Sequence, residues 1–262
     1  VAGTFCERLG PLKEPILSAD SLSYSYRDLS TPVLNDISFT LGSGENVALI
    51  GSNGAGKSTL LKILPGLLFP YSGSVRIGTL KLMPSTLNQI RRRIGFIFQN
   101  TEDQLFMNSV LQDTAFGLLN RGVPSSEAEE RAVQMLTQLS AEHLLHRHPA
   151  RLSGGEKTLT ALAGVLVMEP DILLMDEPAR GLDPAARRRL IDLLQGLKHT
   201  KLIATHDLDL AYDLCSRILV LHQGRLVTDS DRSVLKDDAF LRSVQLDLPL
   251  RFQQNTDPMD PQ

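Results

Sequence analysis

Short apolar runs and longer stretches with helical spacing alternate along most of the chain. Residues 16–26 alternate in part and residues 33–41 alternate from Leu34 onward, so both predict strands. Gly42-Ser-Gly44 ends the second, and residues 46–50, apolar after Asn46, read as a buried strand. Residues 57–64 then carry apolar side chains at helical spacing. Further strands are expected at 74–78 and 93–98. A helical stretch follows over 109–148, in which Ser126 and Glu129 form a capping box ahead of Ala132, Val133, Leu136 and Leu139. Residues 151–155 open a helix running to about Met168, 171–176 is a strand, 184 to about 197 a helix, and 201–205 a strand. Residues 217–222 and 225–228, split by Gln223-Gly224, predict a hairpin.

This order predicts an α/β fold with a mostly parallel sheet covered on both faces. An antiparallel β portion opens it, and a helical subdomain at about 109–168 is inserted between sheet strands. One domain is expected over residues 16–246. Residues 1–15, without periodicity, and residues 247–262, polar and Pro-rich, read as tails.

A chain of 262 residues is long enough to bury a sizeable core. Its net charge of −3 gives no global attraction to nucleic acid. No apolar run is long enough to span a bilayer and no secretory signal opens the sequence, so a cytoplasmic protein is expected, reaching a membrane only through a partner. Cys6 and Cys215 stand far apart without ligand spacing, which argues against structural disulfides or zinc.

Chemistry concentrates at residues 51–59, Gly-Ser-Asn-Gly-Ala-Gly-Lys-Ser-Thr, which fit the P-loop pattern G-x-x-x-x-G-K-[ST] between a strand and a helix. Glycines let the backbone wrap closely with N–H groups turned towards phosphate oxygens, and the following helix adds the positive end of its dipole. Lys57 suits the β- and γ-phosphates, and the Ser58 hydroxyl suits Mg²⁺. Asn53, Gly54, Gly56, Lys57, Ser58 and Thr59 are therefore nucleotide-binding candidates. In a P-loop fold a carboxylate ending a neighbouring strand faces Ser58, a place that Asp176 fits as a metal-holding group. The adjacent Glu177 can act as general base on an attacking water.

Leu152-Ser-Gly-Gly155, before Asp176, resembles the signature motif of ATP-binding cassette (ABC) ATPases, and the family's other motifs follow in order over residues 16 to about 235. The resemblance implies further roles. Tyr26 resembles the aromatic that stacks on adenine. Gln99 resembles the glutamine that contacts Mg²⁺ and the attacking water and senses the transport partner. Asp183, in Gly181-Leu-Asp183-Pro184, resembles the D-loop residue, and His206 the switch histidine on the γ-phosphate. Family members bind ATP between two cassettes, so Ser153, Gly154 and Gly155 are expected to serve the nucleotide of a second, identical or related, subunit. Residues 98–106, with Val110 and 115–117, look like the ATPase subunits of energy-coupling-factor importers of cobalt, nickel or vitamins. That implies membrane subunits docking near Gln99–Phe106, with Glu102 and Asp103 pairing there with cationic groups, and a location on the inner face of the cell membrane. A non-transport ABC ATPase acting as a nucleotide-dependent switch is the alternative. A small-molecule kinase leaves residues 152–155, Gln99 and His206 unexplained.

Two departures from the family pattern stand out. The signature continues as Glu156-Lys157-Thr158-Leu159 rather than Gln and basic residues, and Ala179 replaces the usual Thr after Asp-Glu-Pro. Glu156 is expected to oppose the triphosphate across a closed interface. His143, His146 and His148 read as an exposed helix end rather than a metal site.

Overall fold

Alternation inside the buried strands decides the layering. In this computed structural model the described residues are 15–26 and 31–253. The expected N-terminal tail through residue 14, with Cys6, and residues 254–262 of the expected C-terminal tail lie outside them.

One sheet comprises β1 (Pro15–Tyr24), β2 (Leu34–Gly42), β4 (Ser72–Ile77) and β5 (Leu80–Lys81), antiparallel in the order β2-β1-β4-β5. The other comprises β3 (Asn46–Ile50), β6 (Ile94–Ile97), β7 (Ile172–Asp176), β8 (Thr200–Ala204), β9 (Arg217–His222) and β10 (Arg225–Asp231). Its order is β10-β9-β3-β8-β7-β6, and every pair but β9–β10 is parallel. Its inner strands β3, β7, β8 and β9 are buried on both faces, and successive residues divide between two cores as period two requires. Val47, Leu49, Leu174, Leu202 and Leu219 join the core shared with the antiparallel sheet. Ala48, Ile50, Leu173, Met175, Ile203 and Val220 join the opposite one.

The helices are α1 (Lys57–Ile63), α2 (Leu87–Arg93), α3 (Val110–Asn120), α4 (Ser125–Gln138), α5 (Gly154–Leu166), α6 (Pro184–Gly196), α7 (Leu208–Leu214), α8 (Asp238–Ser243) and α9 (Leu250–Gln253). Leu60, Leu61 and Ile63 put α1 in the first core, between the sheets. One face of the parallel sheet is thus covered by α1 and a second sheet rather than by crossover helices. The second core receives residues from α5, α6, α7 and α8. Arg217, buried, ties the layers: it donates to Thr40 O (3.0 Å) and Glu45 (3.0 Å) and forks onto Asp229 (2.7 and 2.6 Å). The turn at Gln223 and Gly224 has φ of 48° and 74°, the doubly left-handed form that matches hairpin twist.

The stretch expected as helix over 109–148 divides into α3 and α4, followed by 3₁₀ turns at Glu142–Leu144 and Pro149–Arg151. The Ser126–Glu129 capping box does not form. Pro124 precedes the first turn of α4, so the helix already begins at Ser125, and no side chain caps it. Its buried stripe is Ala128, Ala132 and Leu136, four residues apart, and Val133 stays exposed. The three histidines do not end one long helix either: His148 caps the second 3₁₀ turn, its Nδ1 accepting from Ala150 N at 3.2 Å.

The expected tail from residue 247 is in part built structure. Pro249 is buried. Leu250 N donates to Asp209 at 2.8 Å, and the Arg251 guanidinium bridges Asp209 and Asp213, both at 2.7 Å. The Phe252 ring meets Tyr212 edge-on at 5.2 Å. The ion pairs are partly exposed and contribute little, so the apolar contacts dominate. A chain ended at residue 246 is expected to lose about 1–3 kcal/mol, a fall of roughly 2–10 °C in thermal midpoint. An unchanged midpoint in a melting scan would return the segment to the status of a tail.

Candidate active site

After Ile50 ends β3, the loop 51–56 turns tightly into α1. Gly54 and Gly56 take φ of 80° and 107°, and a Cβ on Gly56 would stand 2.7 Å from Leu34 Cδ2. Gly56 caps α1 without a side-chain bond and the first turn carries no acidic residue, which leaves backbone donors for an anion. Lys57 folds back over the loop, donating to Gly51 O (2.6 Å) and Ser52 O (3.2 Å). Burial pulls its pKa below the ordinary lysine value, against the opposing pull of Glu177 and Asp176.

Asp176 ends β7 beside this loop and Glu177 follows it, both buried. Asp176 Oδ1 has no hydrogen-bond partner. Burial raises the Asp176 pKa, the Ser58 hydroxyl opposing it. A buried oxygen without a donor, next to a serine hydroxyl, fits a hard cation. Glu177 by contrast is fully engaged: Oε1 accepts the His206 backbone N–H (3.0 Å), and Oε2 takes the Thr205 hydroxyl (3.2 Å) and His206 Nδ1 (2.8 Å). The His206 side chain remains 60 % exposed, so its other edge is open to a ligand.

A cleft of about 670 Å³ joins Ser58, Gln99, Asp176 and Glu177, with Gly154 and Lys157 on its far wall. Gln104 holds its rim, bonding Phe96 O and Phe98 N from the end of β6 at 3.3 and 3.4 Å. Tyr26 reaches the site too, its hydroxyl 3.2 Å from Thr59 Oγ1.

Ser153, Gly155 and Asp183 do not face that cleft. They line a separate cavity between the start of α5 and α6. Ser153 caps α5 in a complete capping box: Glu156 Oε2 accepts from both Ser153 N and Oγ at 2.8 Å. Its pKa is lowered first by the Ser153 N–H and also by Arg147, 3.3 Å away. Asp183 Oδ1 accepts from Ala185 N and Ala186 N at 2.9 Å and so caps α6.

Residues 34–180, more than half of the chain, match the family model described as ABC transporter. The chain belongs to the ABC transporter family. A Geobacter sulfurreducens protein that carries the provisional name of ABC transporter ATP-binding protein is 47 % identical over 91 % of this chain and 96 % of its own. The energy-coupling factor transporter ATP-binding protein EcfA of Enterococcus faecium is 40 % identical over 90 % and 86 %. Among solved structures, cbiO1 of Clostridium perfringens, part of the ABC transporter complex cbiONQ, superposes with a TM-score of 0.77 at 35 % identity, covering 88 % of this chain and 95 % of that one. The cassette MJ0796, a dimer bound to ADP and Pi, gives 0.75 at 27 % identity, covering 82 % and 98 %.

This cassette therefore has the ABC ATPase fold, binds ATP and hydrolyses it. Sequence reasoning missed three of the groups around its site. Thr205 on Glu177, Lys157 paired with Glu102, and Arg187 forked onto Asp207 all come from contacts distant in sequence, with no local pattern to mark them. Lys57→Ala is expected to abolish high-affinity ATP binding, and Glu177→Gln to keep binding while stopping hydrolysis. Filter binding and phosphate release separate the two, and near-normal turnover in the Glu177 variant would remove it from the base role.

Proposed function

We propose that the protein is the ATP-hydrolysing subunit of a membrane importer of the energy-coupling-factor type, working as a pair of cassettes that close on ATP at the cytoplasmic face of the membrane. The 40 % identity to EcfA over most of both chains carries the importer reading. Among the described residues no helix is long and apolar enough to cross a membrane, consistent with separate membrane subunits.

In this reading the γ-phosphate lies over Lys57 and the α1 N-terminus, and Tyr26 offers its ring to adenine. Ser58, Asp176 and Gln99 hold Mg²⁺, which when bound supplies positive charge to the β- and γ-phosphate oxygens. Asp176 Oδ1, buried and without a partner, supports that assignment. Glu177 takes the proton of the attacking water, whose oxygen bonds to the γ-phosphorus as the bond to ADP breaks. His206 holds Glu177 and offers its exposed edge to the γ-phosphate. Ser153, Gly154, Gly155 and Asp183 serve the nucleotide of the other cassette. Their partial separation from this chain's own cleft supports such a division of labour.

In this reading membrane subunits dock at residues 99–106, which the 61 % exposure of Phe106 beside a 250 Å³ hollow lined with Met107 and His148 supports. Glu102 is engaged by Lys157 within the chain, so Asp103 is the freer carboxylate for a cationic partner group. Asp103→Ala is expected to leave basal ATPase of the isolated subunit intact and to weaken co-purification with integral membrane subunits from detergent-solubilised membranes. Undiminished assembly and transport would make it a solvated loop residue, and absence of any membrane subunit would favour the non-transport switch.

Glu156 places its carboxylate on the very donors that a partner's phosphate would use. A glutamine keeps an acceptor for Ser153 N–H without the charge. Glu156→Gln in a Glu177→Gln background is expected to tighten ATP-driven dimerisation severalfold, with little change in the nucleotide-free melting point. Equal or weaker dimerisation in an ATP titration would make the departure neutral.

A further inference from the structure

The groups holding Glu177 are themselves held from one direction. Thr205 Oγ1, which donates to Glu177, accepts the backbone N–H of Asp207 at 3.0 Å. Asp207 Oδ1 caps α7 by accepting Leu210 N at 2.8 Å. The same carboxylate is forked by Arg187 of α6, Nε to Oδ2 at 2.8 Å and Nη2 to Oδ1 at 3.0 Å. These side chains are 27 % and 30 % exposed, more enclosed than an ordinary surface pair. Two other carboxylates on α7, Asp209 and Asp213, also act on Arg187, but Arg251 bridges them. Arg187 is thereby left to Asp207.

The backbone at 205–207 is thus pinned on one side by Glu177 and on the other by α6. We propose that Arg187 is a positioning residue for ATP hydrolysis, fixing Thr205 and His206 through Asp207 so that they hold the Glu177 carboxylate at one angle to the attacking water. This rests on the reading of Glu177 as base. Arg187 itself does not line the cleft shared by Ser58, Gln99, Asp176 and Glu177. A lysine keeps the charge but cannot form the two parallel bonds.

Turnover, KM for ATP and thermal midpoint are measured for Arg187→Met and Arg187→Lys, each alone and with Glu177→Gln. With Glu177 present, Arg187→Met should lower kcat at least tenfold with KM within twofold, Arg187→Lys should recover part of the loss, and the midpoint should stay near that of the parent. In the Glu177→Gln background neither variant should lower the residual rate further, because groups acting as a unit do not add. Wild-type kcat in both variants, or the same fold-loss in both backgrounds, would overturn the proposal. If Arg187→Met does not fold, the comparison of backgrounds is made with Arg187→Lys and decides alone. Near-normal turnover of Glu177→Gln by itself would instead overturn the base assignment, so the two failures are distinguishable.

Discussion

Three ionisable groups, Lys57, Asp176 and Glu177, are taken out of water together just beyond β3 and at the end of β7. Removing an ion from water costs several kcal/mol unless charge and hydrogen bonds compensate. Each of the three is compensated differently. Lys57 rests on loop carbonyls and the two carboxylates, Glu177 takes three donors from residues 205 and 206, and Asp176 keeps one oxygen without a donor. These compensations hold only if the strand ends stay in register, so the site depends on the rigidity of the sheet beneath it.

That rigidity comes from burying the sheet on both faces. With α1 held between two sheets, the P-loop cannot shift without disturbing Leu60, Leu61 and Ile63 in the core. The β9–β10 hairpin braces it from the side: Gly224 N donates to Ala55 O at 3.2 Å, and Gly224 O accepts from Asn35 N at 2.8 Å. A Cβ on Gly224 would fall 2.4 Å from Val33 O, so the turn glycine serves close approach as well as its left-handed backbone. Arg217, itself buried, fastens the same hairpin to Thr40 of β2 and to Glu45.

The parts legible in the sequence were those with a local cause. Residues 46–50, 171–176 and 201–205 read as buried strands because they are short and apolar between polar breaks, and the P-loop carried its pattern within nine residues. The seven-residue α2 buries only Ile90 and carries no readable period, whereas α7 spaces Leu210, Ala211 and Leu214 helically in a run too short to stand out. The segment at 247–253 reads as a tail only together with the polar, Pro-rich residues after it, and its order comes from contacts with α7 some 40 residues earlier. The same limit applies within the site. Asp176-Glu177 is visible as a pair, whereas the Thr205, Asp207 and Arg187 contacts join residues that mean little one at a time.

One feature of Glu177 could not be read from any pattern. Its φ is 50°, in the left-handed region, although it carries a full side chain and precedes Pro178. Such a backbone costs about 1–3 kcal/mol and persists only where the surroundings over-determine it. Here Glu177 N donates to Ala204 O at 2.8 Å, continuing the β7–β8 pairing, and Glu177 O accepts from Arg180 N at 3.0 Å. The chain is thus held as strand before the residue and as turn after it, and the left-handed twist falls on the one position between. An ordinary strand conformation would carry the carboxylate away from Thr205 and His206, leaving its three donors unmatched. Strain in the backbone and satisfaction of the side chain are therefore two sides of one arrangement, and a glycine at 177 would relieve the first only by removing the group that the second exists to hold.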